Sequence, residues 1–315
     1  MIEAQELAKN YGRKRAVDSV SFTVQPGRVT GFLGPNGAGK STTMRMIVGL
    51  DRPSAGRVTV NGRPFARHAA PLREVGALLD AKSVHKSRSA RSHLRALAAT
   101  HSIPLKRVDE VIELTGLGAV ARKRVGGFSL GMGQRLGIAA ALLGDPQTLI
   151  LDEPVNGLDP EGVLWVRNLA RSQAAQGKTV FLSSHLMSEM SLTADHLIVI
   201  GRGRIIADAP IEAILNGQGT SGALVRTDSA VELMNALAAD HVQITRVDEF
   251  TLQVAGVDSR TIAARALDAR ILVYGLTPTQ QSLEQAYMDL TKDEVEYHSS
   301  LQAPAAQGAM PGKQI

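Results

Sequence analysis

The sequence predicts an α/β protein: a mostly parallel sheet with an antiparallel flank and a helical subdomain, followed by a small C-terminal α+β domain. Three observations support this prediction. Short apolar runs such as "RVTGFLG" and "TLILDEP" end in turn residues and alternate with helical patterns, as buried parallel strands do. Residues 85–145 are mainly helical in pattern. After residue 216 the composition changes, and "NGQGTSG" is typical of a linker.

The composition supports a folded chain without disulfides. The chain has 315 residues and a hydrophobic fraction of 44%, which suits one large domain and one smaller domain. Cysteine is absent, which excludes disulfides and thiolate metal sites. No run approaches the ~18 to 20 apolar residues of a membrane-spanning helix. The chain also opens without a charged and then apolar leader, so we expect a cytoplasmic protein.

The charge raises the question of a polyanionic partner. A net charge of +5 and a pI near 9.6 are compatible with binding to nucleic acid or to an anionic membrane. However, the aromatic fraction is only 3%, and basic and aromatic residues do not alternate as in surfaces that stack bases. We therefore expect no nucleic-acid partner and interpret the charge as an arginine-rich solvated surface.

The predicted elements of the N-terminal two thirds follow one another along the chain. "IEAQELAKNYG", "VSFTVQPG" and "GRVTVNG" alternate between apolar and polar residues and predict antiparallel strands. "RVTGFLG", "TLILDEP", "KTVFLSSH" and "HLIVIGRG" predict strands of a sheet that helices cover. "KRVDEVIELTGLG" predicts a helix that ends at glycine.

The remaining third predicts a strand, a helix, a hairpin, a helix, a strand and a helix. The segments are "GALVRT", "AVELMNALAAD", "VQITRVDEFTLQVAG", "RTIAARALDA", "ILVYGL" and "SLEQAYMDLT". We therefore predict a large domain at 1–216, a small α+β domain at 217–292 and a tail at 293–315. The tail has little to bury, and we expect it to be disordered.

The most specific motif is "GPNGAGKST", which lies between a predicted strand and a predicted helix. Its glycines let backbone N–H groups face phosphates, and the helix N-terminus favours the anion. Lys40 can reach the β- and γ-phosphates, and the Ser41 hydroxyl can hold Mg²⁺. An accidental glycine-rich turn is the alternative, which the strand and helix on either side disfavour. The predicted ATP-binding residues are Gly34, Pro35, Asn36, Gly37, Ala38, Gly39, Lys40, Ser41 and Thr42.

Two further predicted strands end in polar side chains. Asp152 and Glu153 follow "TLIL", and strand ends of a parallel sheet line a shared crevice. Asp152 suits a Mg²⁺ shell, and Glu153 suits the polarisation of a water that attacks the γ-phosphate. Standing alone, such a pair is more often a solvated turn. His185 ends "KTVFLSSH", which leaves both a structural role and a γ-phosphate contact open.

Together these motifs resemble the ATP-binding cassette (ABC) family over residues 1–210. The phosphate loop, "FSLGM", the acidic strand, "NGLD" and His185 stand in the family's order. The resemblance implies a P-loop NTPase core that hydrolyses ATP, with ATP and Mg²⁺ as cofactors. It implies Lys40, Glu153 and His185 as catalytic residues, and Tyr11 as an aromatic that stacks on adenine. Taken alone, Tyr11 reads as an ordinary strand tyrosine.

"FSLGM" resembles the family's signature in a divergent form, with Ser129 and Gly131 at its key positions, and Gln134 and Arg135 follow it as in the family's members. Taken alone, Ser129 reads as a helix N-cap. In the family, the signature binds the γ-phosphate that another subunit holds. The resemblance therefore implies a head-to-tail pair with a second copy, in which each ATP lies between Lys40 of one copy and Ser129 of the other. It also implies that Asp159 communicates across the interface.

One position departs from the family's pattern. Members usually carry a glutamine after the strand that follows the phosphate-loop helix, whereas "VGALLDA" places Asp80 there. The shorter, charged side chain is compatible with contact to Mg²⁺ or to the attacking water, and a structural role is the alternative. The basic segment "KSVHKSRSARSHLRAL" reads as part of a docking surface for a membrane partner or as a solvated helical face.

The C-terminal pattern resembles the accessory domain of ATPase subunits in ABC-2 type exporters of drugs, antibiotics or lipids. The resemblance implies a motor on the cytoplasmic face of the membrane, coupled to a separate permease with about six spans per subunit. Two alternatives remain. One is a soluble ATPase that acts on ribosomes or DNA, and the other is a nucleotide-gated regulatory module without turnover.

Overall fold

The computed structural model describes residues 1–80, 84–215, 222–239, 242–279 and 282–291. The predicted tail at 293–315 and linker residues 216–221 lie outside these ranges. The strands are β1 (Ile2–Tyr11), β2 (Lys14–Val24), β3 (Val29–Leu33), β4 (Ala55–Val60), β5 (Val75–Leu78), β6 (Thr148–Leu151), β7 (Thr179–Ser184), β8 (His196–Gly201), β9 (Arg204–Pro210), β10 (Gly222–Thr227), β11 (Gln243–Arg246), β12 (Thr251–Ala255) and β13 (Val273–Thr279).

The helices are α1 (Lys40–Ile47), α2 (Pro71–Glu74), α3 (Ala90–Thr100), α4 (Leu105–Leu114), α5 (Leu130–Leu142), α6 (Pro160–Ala175), α7 (Met187–Thr193), α8 (Ile211–Leu215), α9 (Ala230–Leu237), α10 (Ser259–Asp268) and α11 (Leu283–Thr291). Within the described ranges, none of them is long and apolar enough to cross a lipid bilayer. Helices α3, α4 and α5 form the predicted helical stretch between residues 85 and 145.

The central sheet has the strand order β5-β6-β7-β3-β8-β9. Its strands pair in parallel except for β9, which runs antiparallel to β8 at one edge. Every residue of β3, β6, β7 and β8 is buried. Burial on both faces explains why these strands read as continuous apolar runs in the sequence. The predicted mostly parallel sheet is confirmed.

A second sheet, of order β2-β1-β4, forms the predicted antiparallel flank. It shares one hydrophobic core with α1 and one face of the central sheet. Phe22, Phe32 and Phe181 connect the two sheets, with ring centroids 5.1 to 6.0 Å apart. Helices α3 to α6 contribute to a larger core on the other face. The central sheet is therefore covered on both sides, as an α/β architecture requires.

The small C-terminal sheet has the order β11-β12-β10-β13, and all of its pairs are antiparallel. Helices α9 and α10 pack on it through a separate core that includes Leu233, Leu252 and Ile262. The order of strands and helices is the one that the sequence predicts. This sheet therefore forms a second unit with its own hydrophobic centre.

Helix α11 packs against the larger unit, which consists of the central sheet, the second sheet and the helices that cover them. Its Leu283, Ala286 and Tyr287 are buried in the core of the central sheet, where α11 contacts α7, α8 and β9. The sequence prediction grouped this helix with the small domain, because an amphipathic pattern identifies a buried face but not the surface that covers it. In the chain, the small sheet therefore lies between α8 and α11, which both belong to the larger core.

We expect Leu283→Ala to destabilise the larger unit by about 2–5 kcal/mol, because it removes a leucine that is 4% exposed. Unfolding is followed by the emission of Trp165, the single tryptophan, which lies on α6. The matched control is Met288→Ala on the same helix, where the side chain is 58% exposed. The control should change the free energy of unfolding by less than about 0.5 kcal/mol. Equal effects of the two variants would contradict the packing of α11 in this core.

Candidate functional site

The glycine-rich loop connects β3 to α1 and lines a cleft of about 360 Å³. Gly37 and Gly39 have φ values of 83° and 110°, which glycine adopts without the steric cost of a Cβ. A Cβ on Gly39 would lie 2.6 Å from the carbonyl oxygen of Ala16, so this glycine also lets β2 approach the loop. The cleft is lined by Tyr11, Lys14, Ala16, Pro35, Asn36, Gly37, Gly39, Lys40, Ser41, Thr42 and Glu153.

Lys40 is the first residue of α1 and is only 6% exposed. Its Nζ donates hydrogen bonds to the carbonyl oxygens of Gly34 at 2.6 Å and Pro35 at 3.3 Å. Burial lowers the pKa of Lys40, and the negative charges of Glu153 and Asp152 oppose this shift. An anion in the cleft would favour the charged ammonium in the same way. The loop therefore presents a buried cation beside the cleft.

The two predicted carboxylates lie directly after β6. The hydroxyl of Ser183 donates to Oδ1 of Asp152 at 2.5 Å and accepts from the N–H of Glu153 at 2.9 Å. Oε2 of Glu153 lies 2.7 Å from Nδ1 of His185, and Oε1 lies 4.0 Å from Nζ of Lys40. Four predicted site residues are thus brought together where the parallel strands end.

The oxygen donors at this edge of the sheet fit Mg²⁺. Ser41 lines the cleft, and hydroxyl and carboxylate oxygens are the hard ligands that this ion prefers. Among the residues that the structure describes, no group of three or more His, Cys, Asp or Glu side chains is placed to hold a metal. Magnesium at nucleotide sites needs only one or two protein ligands, because phosphates and waters supply the others. Ser41 and Asp152 offer oxygens of this kind, and of the two only Ser41 is among the described residues that line the cleft.

Ser129 and Gly131 lie at the start of α5, and the described lining of the cleft does not include them. The exposed Ser129 hydroxyl accepts from the N–H of Met132 at 3.2 Å, which is the N-cap arrangement. A Cβ on Gly131 would lie 2.9 Å from the carbonyl oxygen of Gly157. This glycine therefore lets α5 begin against the "NGLD" loop.

Asp159 and Asp80 also lie outside the described lining of the cleft. The Asp159 carboxylate caps α6 by accepting from the N–H of Gly162 at 2.9 Å. Asp80 follows β5, the strand that pairs with β6, and its side chain is exposed. Its position beyond the strand end places it on the same edge of the sheet as Asp152.

Tyr11 lines the cleft at the end of β1, with 49% of its surface exposed. Its hydroxyl donates to Oδ2 of Asp51 at 2.8 Å, and Nζ of Lys9 lies 5.1 Å from the ring centroid. Lys14 and Ala16 line the same cleft, and the sequence motifs did not identify them. The hairpin of β1 and β2 could have identified them from the sequence. Tyr11 pairs with Lys14, so the start of β2 lies beside the cleft.

The sequence analysis gave no site role to two buried side chains beside Glu153. Ser183 binds the Glu153 N–H as described above, and Nε2 of Gln134 donates to the Glu153 carbonyl oxygen at 2.9 Å. Gln134 lies on α5 and is 6% exposed. In the sequence, Ser183 is typical of the polar end of an apolar strand. Gln134 is typical of the helix that follows the signature. Both contacts depend on how separate elements pack.

Three family profiles match parts of the chain. The profile described as ABC transporter matches residues 17–156. A profile described as AAA domain, putative AbiEii toxin, Type IV TA system, matches residues 123–191. A domain of unknown function matches residues 221–284, a range that covers all strands of the small sheet.

Curated relatives match over two thirds of the chain or more. The bacitracin transport ATP-binding protein BcrA of Bacillus licheniformis is 41% identical over 215 residues, which cover 67% of this chain and 70% of the relative. The daunorubicin resistance ATP-binding protein DrrA3 of Streptomyces coeruleorubidus is 32% identical over 311 residues, which cover 91% of this chain and 94% of the relative.

Solved structures share the fold of the larger unit. The dimeric ATP-binding cassette MJ0796, in a post-hydrolysis state bound to ADP and Pi, superimposes with a TM-score of 0.61. The match covers 67% of this chain and 99% of that chain, with 21% sequence identity. At this identity, the similarity describes the fold alone.

Proposed function

Because the chain belongs to the ABC transporter family as an ATP-binding, ATP-hydrolysing subunit, we propose that it drives an ABC-2 type exporter. Similarity over nearly the whole chain to a daunorubicin resistance protein, and over two thirds of it to a bacitracin transport protein, supports a drug-like or antibiotic-like cargo. The same similarity favours export over action on ribosomes or DNA. A permease with about six spans per subunit supplies the path and holds the motor on the cytoplasmic face of the membrane.

The observation that carries this proposal is the convergence of Lys40, Glu153 and His185 at the phosphate-loop cleft. Lys40 binds the β- and γ-phosphates, and His185 orients Glu153 and contacts the γ-phosphate. Glu153 polarises a water and takes its proton as the water oxygen attacks the γ-phosphorus. The bond from that phosphorus to the β–γ bridging oxygen breaks, and ADP and phosphate leave. Magnesium neutralises charge on the phosphates when it is bound with ATP.

The aromatic ring in the cleft suits the base of the nucleotide. Tyr11 is half exposed there, and an aromatic ring offers a flat apolar face for adenine. Lys14 lines the cleft beside it and adds a cation that favours an anionic ligand. The cleft therefore offers an aromatic ring as well as the phosphate loop.

The active state is a head-to-tail dimer of the chain, with each ATP between Lys40 of one copy and Ser129 of the other. Ser129 is exposed at the start of α5, where the helix dipole and backbone N–H groups favour an anion. Gly131, in the first turn of the same helix, takes part in this contact. Asp159 begins the neighbouring helix α6 and communicates across the interface.

We expect Lys40→Ala to reduce ATP turnover at least about 100-fold, because the cation that stabilises the transferring phosphoryl group is lost. Phosphate release by the purified protein measures this effect. Lys106→Ala is the matched control, since this side chain is 89% exposed and should leave turnover unchanged. Undiminished turnover in Lys40→Ala would refute the role of the loop.

Glu153→Gln should slow hydrolysis while ATP binding is preserved, because the amide keeps the size of the side chain but cannot accept the proton. The variant should therefore accumulate an ATP-bound dimer that light scattering or size exclusion detects. A variant that stays monomeric at saturating MgATP, both alone and with a permease, would argue against the interlocked dimer.

Asp80→Asn tests the position where the family usually has glutamine. If Asp80 acts on Mg²⁺ or on the attacking water, removal of its charge should change ATP turnover or its coupling to transport. Both quantities are measured with the subunit reconstituted beside its permease. Wild-type behaviour in both assays would assign Asp80 a structural role.

A further inference from the structure

Glu153 has a φ of 48°, a left-handed conformation that residues with a Cβ seldom adopt. Such a conformation persists only where the surrounding structure enforces it. We propose that Gln134 is a positioning residue for Glu153: its buried amide holds the strained backbone from which the base of ATP hydrolysis projects. This inference rests on the proposed function, because that function gives Glu153 its role as the base.

Both backbone polar groups of Glu153 are bound by buried side chains. Its N–H donates to the hydroxyl of Ser183, which is 0% exposed, at 2.9 Å. Its carbonyl oxygen accepts from Nε2 of Gln134 at 2.9 Å and from the N–H of Asn156 at 3.2 Å. Ser183 belongs to β7 and Gln134 to α5, so two separate elements fix the peptide groups on either side of Glu153. These two bonds fix the backbone from which the Glu153 side chain projects, and His185 contacts its carboxylate.

The hydrogen bond from Gln134 to the Glu153 carbonyl oxygen accounts for an amide at this position, whereas the filling of space in the core does not. Gln134 is 6% exposed, and its Oε1 is buried with no hydrogen-bond partner among the described residues. An unpartnered buried oxygen is unfavourable, and leucine or methionine would fill similar space without it. Reversal of the amide would place Oε1 against the Glu153 carbonyl oxygen, where two acceptors repel each other. The hydrogen bond to the Glu153 carbonyl oxygen therefore accounts for the presence of an amide at position 134.

The bond also gives Glu153 a connection to the signature. Gln134 lies five residues after Ser129, which is about 7.5 Å along the helix axis. The helix that contacts the partner's nucleotide in the proposed dimer therefore carries the amide that holds the base of its own protomer. Loss of the amide should misplace the base without disturbing the phosphate loop.

The test is Gln134→Leu, which removes the donor at similar volume. We expect kcat to fall about 10- to 100-fold, because a small misplacement of a reacting group has effects of this size. KM for ATP should stay within about twofold, since the residues that bind the phosphates are unchanged. At saturating MgATP the variant should accumulate the ATP-bound dimer, as Glu153→Gln does, and light scattering measures this.

The matched control is Gln173→Leu. Gln173 is also buried, at 8% exposed, but its Oε1 accepts from Nζ of Lys178 at 3.0 Å. This variant loses a buried amide bond without touching Glu153, so it should lower the unfolding temperature and leave kcat unchanged. Gln134→Met is a second test variant that keeps an unbranched side chain, and it should reproduce the kinetic effect of Gln134→Leu.

The outcomes separate the inference from the proposed function. Wild-type kcat in folded Gln134→Leu or Gln134→Met overturns the inference. Loss of kcat together with loss of the dimer also overturns it, because that pattern indicates a damaged α5. If Glu153→Gln itself fails to accumulate a dimer, the proposed function fails instead. An equal loss of kcat in Gln173→Leu would reduce Gln134 to a general packing role and contradict the inference.

Discussion

The alignment of three parallel strand ends determines the chemistry of this site. Leu33 of β3 lies opposite Ser184 of β7, and Leu151 of β6 lies opposite Leu182. All three strands are buried to their last residue, so polar side chains emerge only where the strands end. Pairing in this register brings the glycine-rich loop, the carboxylates and the histidine to one level of the sheet. A shift in register would separate these groups and expose apolar residues in their place.

The N-cap interpretation and the phosphate-binding interpretation of Ser129, at the start of α5, are compatible. As an N-cap, Ser129 uses its oxygen to accept from the N–H of Met132. A serine hydroxyl also carries an O–H donor and a second lone pair. Capping therefore leaves the group that would bind a phosphate oxygen available in the proposed dimer. The cap also orders the first turn of the helix, so the backbone N–H groups there already point outward before any anion arrives.

The sequence was sufficient wherever local chemistry determines structure. The apolar runs predicted the buried strands, and the motif after β3 predicted the loop, because glycines and a helix start encode its shape locally. It was not sufficient for contacts between elements. A helical period shows that α11 buries one face but does not identify its neighbour. Similarly, nothing in the spacing of Gln134 and Glu153 indicates that an amide on one element binds a carbonyl at the end of another.

The position of α11 returns the chain from the small C-terminal sheet to the larger core. In the chain, the sheet lies between α8 and α11, and both helices bury apolar side chains in the larger core. Helix α11 rests on α7, and α7 begins at Met187, two positions after His185. Both ends of the small sheet are thereby flanked in the chain by helices of the larger core, and one of these contacts the helix that begins just after the histidine.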